Sequence, residues 1–110
     1  MKLSISNIAW PKETDSVIYD LLIANKVSAV EIAPTRFWPD WQYSPIDVKA
    51  VREDLAIRGL QISSLQAIVY GLPQLKVFGT SEEKRNLVSH LKQVADLAVQ
   101  LGVKLLVFGA

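Results

Sequence analysis

Four short apolar runs are separated from one another by stretches with helical spacing, and this alternation constrains the chain more than any other feature. Leu3-Ser4-Ile5-Ser6 alternates with period two, as a strand does. Pro11 to Val27 then puts Val17, Ile18, Leu21 and Leu22 on one helical face, with Thr14 or Asp15 as N-cap. SAVEIAP, ending at Pro34, is a second strand. Ser44-Pro45 opens a second helix: Ser44 caps it, Pro45 takes the first helical position, and Asp47 stands where a capping box needs an acceptor. Val48, Val51, Leu55 and Ala56 form its buried stripe, and Gly59 supplies the left-handed residue past its end. Strand three runs from Gln61 to Ala67. Thr80 and Glu83 make a second capping box, opening a helix whose face is Leu87, Leu91, Val94, Ala95, Ala98 and Leu101. Gly102 stops it. In the stretch VKLLVFGA that follows, Leu105-Leu106-Val107-Phe108 reads as a strand buried on both faces, with Gly109 as the turn that leaves it.

Strands alternating with amphipathic helices imply βαβ units on a parallel sheet, so the pattern predicts (βα)₃β in one domain. Two architectures contain that unit: an open doubly wound sheet and part of a (βα)₈ barrel. After strand one the chain reads Asn7-Ile8-Ala9-Trp10, with none of the glycines that let a backbone approach a pyrophosphate. That disfavours a dinucleotide fold and leaves a flavodoxin-like open sheet in play. Twelve Lys and Arg are scattered among eleven Asp and Glu for a net charge of +1, so no basic stripe offers itself to nucleic acid. The absence of cysteine rules out a disulfide framework and a thiolate metal site. No apolar run reaches membrane length. A cytoplasmic protein with no nucleic-acid or membrane partner is expected.

In parallel α/β folds the working end lies at the strand C-termini. All three tryptophans gather there, Trp10 after strand one and Trp38 and Trp41 after strand two, with Tyr43 and Tyr70. Such rings stack on the C–H faces of sugars, or else they simply roof the core. Glu31 is the sharpest single residue. It sits between Val30 and Ile32, so if those two face the helices, its carboxylate points to the opposite face of the sheet. There it requires a metal, an arginine or a ligand hydroxyl; an ion pair with Arg36 is the competing structural reading. Gln66 donates and accepts at once and suits a polyol, or is a buried amide satisfied by backbone. His90, the only histidine, lies mid-helix and is expected at the surface. No His/Asp/Glu cluster, activated nucleophile or phosphate loop accompanies these residues.

Three linked motifs, VEIAPTRFWPDW, SLQAIVYGLPQLKVFGTSEEKR and LAVQLGVKLLVFGA, resemble the xylose isomerase-like TIM-barrel family, and within it the sugar phosphate isomerase/epimerase group. The resemblance spans essentially the whole chain. It implies that residues 1–110 are the N-terminal half of one (β/α)₈ barrel domain of roughly 250 residues, a parallel four-stranded (βα)₃β piece. The barrel would continue past Ala110 through helix four and strands five to eight. It implies an enzyme that moves a proton through a cis-enediolate, with a divalent metal (Mn, Mg, Zn or Co) held by ligands on those later strands. It therefore places no catalytic residue and no metal ligand in this segment. What it assigns here is a substrate wall of Trp10, Glu31, Trp38, Gln66 and Tyr70, facing a small sugar or sugar phosphate. A barrel that binds a carbohydrate or metabolite without catalysis is the alternative. The exposed edges of a half barrel further predict homo-oligomers.

Overall fold

The computed structural model describes residues 2–108. Three parallel strands, β1 (Ser4–Ser6), β2 (Ala29–Ile32) and β3 (Gln61–Leu65), form one sheet in the order β1-β2-β3. Three helices, α1 (Asp15–Ala24), α2 (Pro45–Ile57) and α3 (Ser81–Leu101), connect them and extend past them. The protein is α/β. Its core forms where Val30, Ile32 and Leu65 meet Tyr19 and Leu22 of α1, Val48 and Leu55 of α2, and Val94, Leu97 and Leu101 of α3.

Both capping boxes form. The Ser44 hydroxyl accepts from the Asp47 N–H at 3.1 Å, and the Asp47 carboxylate accepts from the Ser44 N–H at 2.9 Å. Thr80 and Glu83 repeat the arrangement at 3.1 and 2.9 Å. The Thr80 N–H that Glu83 accepts holds that carboxyl below the usual glutamate range. The contact therefore stabilises the fold above the ordinary glutamate pKa and is lost as pH falls through the lowered value. Gly59 and Gly102 take φ +84° and +73°, the left-handed conformation that ends each helix and that a side chain would oppose.

Several elements depart from the sequence pattern. α1 is turned so that Tyr19 replaces Val17 and Leu21 in the core; Val17 is 69% exposed. The aromatic ring lies edge-on to Trp10 at 6.1 Å and under the Arg58 guanidinium at 5.5 Å, contacts that an aliphatic side chain cannot make. In α2 Ala56 is exposed, and in α3 Leu97 rather than Ala95 completes the buried stripe. β3 stops at Leu65 because Ala67 turns to φ +52°, outside the extended range. The expected fourth strand shrinks to one parallel bridge, Leu65 to Leu106. Among the described residues, Leu105 to Phe108 bond the sheet backbone at Leu65, through the Leu105 carbonyl at 3.0 Å and the Val107 N–H at 2.8 Å. A strand held along one edge and at one residue has little to keep it extended. The turn expected at Gly109 lies outside the described residues.

The Tyr19 hydroxyl is buried and has no hydrogen-bond partner among the described residues. Burial first, and the Asp15 charge second, push its pKa from 10 up to about 12. Because the buried phenol resists ionising while the unfolded chain's does not, the fold loses stability as pH climbs from 10 to about 12. Tyr19→Phe is therefore expected to raise stability by about 1 kcal/mol at neutral pH and to flatten the alkaline loss. Urea unfolding at neutral and alkaline pH measures both; a destabilised variant would mean the hydroxyl has a partner.

Candidate functional site on the polar face of the sheet

The two faces of the sheet differ in chemistry. On the helix side stand Val30, Ile32 and Leu65, all essentially inaccessible. On the other side the register lines up Ser6, Glu31 and Ser64 across the three strands. The pairing of β2 with β3 slips between Val30 and Glu31, so that Ser63 has no partner of its own. This bulge brings two consecutive serines to the same face. The Ser64 hydroxyl donates to Glu31 Oε2 at 2.6 Å, and the Ser63 hydroxyl reaches the Val30 carbonyl at 3.3 Å.

Side chains of the outer strands meet over the middle one. Ser4 and Ser63 hydroxyls lie 2.6 Å apart, and Gln66 Nε2 donates to the Ser6 hydroxyl. Next-nearest strands of a flat sheet are roughly 9.5 Å apart, too far for two serines to bridge. The sheet must therefore curl toward this face. The result is a concave wall of hydroxyls, one amide and one half-buried carboxylate, running along the strands from Ser4 and past the end of β3 to Gln66. Each hydroxyl can donate or accept, Gln66 can do both, and ionised Glu31 only accepts. Such a set matches a polyol, whose hydroxyls also serve in either sense.

The other expected wall residues lie apart from this group. Trp10 is buried, its indole N–H donating to Asp15 Oδ1 at 2.7 Å. Trp38 is buried between Phe37 and Tyr43, with ring centroids 5.7 and 5.0 Å away. Both rings pack in the roof over the core. Tyr70 is 68% exposed, and its carbonyl accepts the Trp41 indole N–H at 3.0 Å. Glu31 and Gln66 are thus brought together on one face, while Trp10, Trp38 and Tyr70 are placed in the loops above.

Arg36 does not serve Glu31. It pairs with Asp15 at 2.7 Å and donates to the Trp10 carbonyl at 2.6 Å, locking the loop after β1 to the loop after β2. Asp40 accepts from the Gln42 N–H in its own loop. His90 is the clearest correction: it is buried, 9% exposed, not on the helix surface. A carbonyl contributed by the loop after β3 satisfies it, as described below.

Sequence reasoning also missed Asn7, which is 1% exposed at the end of β1. Its Oδ1 accepts from the Ala33 N–H at 3.0 Å, tying the end of β1 to the end of β2. A polar residue directly after a strand at the working end was the available signal. The serines of SIS carried another, since period two sets Ser4 and Ser6 on the same face of the sheet. No helix among the described residues is long and apolar enough to cross a membrane. Neither a protein-family profile nor a curated protein sequence matches the chain.

Proposed function

We propose that these residues are the first βα units of a (β/α)₈ barrel of the xylose isomerase-like kind, acting in the cytoplasm as a sugar or sugar-phosphate isomerase or epimerase. The observation that supports this most is Glu31, set on a concave face among hydroxyls and an amide drawn from three strands. On this reading the chain binds and orients the sugar, with Glu31 accepting from a hydroxyl and Gln66 and Ser6 able to donate or accept alongside it. The proton-transfer groups stand elsewhere in the barrel. So, on this reading, does the divalent metal; among the described residues no three His, Asp or Glu side chains gather. Calorimetric titration of Mn²⁺ into the 110-residue chain is expected to show no site tighter than about millimolar. A stoichiometric micromolar site would overturn this division of labour.

The test of the reading is isotope exchange. A barrel protein containing these residues, given Mn²⁺ and a panel of ketoses and ketose phosphates in D₂O, is expected to place deuterium on the carbon beside the carbonyl. Sugar binding without exchange would make it a binding protein. Neither binding nor exchange would end the reading.

Self-association belongs to the same proposal. Among the described residues β1 pairs only with β2, and the segment around Leu106 joins the sheet through one bridge, to Leu65. Open strand edges, and the exposed Val17 and Leu21 of α1, favour a second chain. Sedimentation of the isolated chain is expected to show a dimer or larger species. A monomer that binds no apolar dye would contradict it.

A further inference from the structure

We infer that His90, together with Trp41, is a positioning residue that sets Gln66 on the concave wall by holding the loop that follows it. Residues 66–72 form that loop, and its first residue is the wall amide. His90 Nε2 lies 2.6 Å from the Ile68 carbonyl. A carbonyl only accepts, so Nε2 carries the proton. Two residues on, the Trp41 indole N–H donates to the Tyr70 carbonyl at 3.0 Å. The two rings are themselves packed edge to face, centroids 4.7 Å apart. Thus α3 and the loop after β2 each put one side-chain donor on the same short segment.

The segment needs holding. Ala67, directly after Gln66, sits at φ +52°, and Trp41 at φ +61°, a conformation unfavourable for residues with a Cβ. Inside the loop only two turn bonds stabilise it, Tyr70 N–H to Ala67 at 3.0 Å and Leu72 N–H to Val69 at 3.1 Å. Gln66 itself is fixed at the backbone by the Ile32 carbonyl at 2.9 Å, and its side chain must then reach Ser6 across β2. Where Ala67 turns decides whether it can.

The importance of Gln66 rests on the proposed function, but the test needs no ligand and so stands or falls separately. Two substitutions separate the ring from its proton. His90→Phe keeps an aromatic ring against Trp41 and removes the donor; His90→Gln puts an amide N–H near the place of Nε2. Amide exchange and the Gln66 side-chain amide signals would be followed by NMR on the 110-residue chain. In His90→Phe, exchange at Tyr70 and Leu72 is expected to quicken roughly tenfold or more, as loss of one buried hydrogen bond implies, and the Gln66 side-chain amide to lose its protected signal. Core amides at Val94 and Leu97 should be unchanged. His90→Gln should restore both the loop and Gln66. If His90→Phe leaves the loop and the Gln66 amide as they were, or if His90→Gln behaves like His90→Phe, the inference is wrong. An equal loss at Val94 and Leu97 would reduce His90 to a core residue and overturn it as well.

Discussion

Asp15→Ala is expected to cost about 3 kcal/mol of stability, the low end of the range for breaking a buried ion pair. Asp15 Oδ1 accepts from both the Trp10 indole N–H and the Arg36 guanidinium, each at 2.7 Å. Removing it leaves two donors without an acceptor, one of them charged. The side chains of the pair keep 16% and 19% exposure, so water recovers part of the loss and the low end applies. Arg36 is already stretched in its satisfaction: its Nε is buried with no partner among the described residues. In a domain of this size the change lowers Tm by roughly 10 °C or more. Asp15→Asn, which keeps an acceptor for the indole but no charge, should fall between. Thermal unfolding followed by near-ultraviolet circular dichroism reads the result, and a loss below roughly 1 kcal/mol would show the cluster to be a surface pair.

The second large effect is functional. If the chain is part of the proposed barrel enzyme, Glu31→Gln is expected to reduce its kcat/KM by about ten- to a hundredfold, the equivalent of roughly 1.5–3 kcal/mol for one hydrogen bond to a charged group. Glutamine keeps the shape and can still accept from Ser64, whose hydroxyl now lies 2.6 Å from Oε2. What it loses is the charge that draws a substrate hydroxyl. Steady-state kinetics on whichever ketose exchanges deuterium measure this directly. Unchanged kinetics would remove Glu31 from the substrate wall.

How much of this was legible depended on how local the cause was. The caps at Ser44 and Thr80 and the glycine stops at Gly59 and Gly102 need only neighbours a few residues away, and they formed as the sequence implied. The faces of β2 were equally readable, because period two leaves no choice once Val30 and Ile32 are buried. Partner choice was not local. Arg36 stood five residues from Glu31 in sequence, yet it bonds Asp15, 21 residues away, because the loops after β1 and β2 fold against each other. His90 falls in phase with Leu87, Val94, Leu97 and Leu101, so its burial was visible in the spacing. Its polar type argued the other way, and the carbonyl that resolves the conflict lies 22 residues away. The tryptophans were rightly placed after their strands, but no pattern in the sequence fixes whether such a ring roofs a core or faces a ligand. The bulge that brings Ser63 and Ser64 to one face is likewise a property of two paired strands, not of either alone.

On the proposed function, the polar wall around Glu31 exists for a ligand and not for the fold. A carboxylate and serine facing each other in a parallel sheet contribute little net stability, and replacing both by apolar groups of similar size is close to neutral or favourable. The most direct measurement is the urea-unfolding free energy of the 110-residue chain carrying Glu31→Leu with Ser64→Ala, compared with the unmodified chain. The expected result is equal or higher stability. A loss of about 2 kcal/mol or more would show that Glu31 and Ser64 are structural and contradict the account.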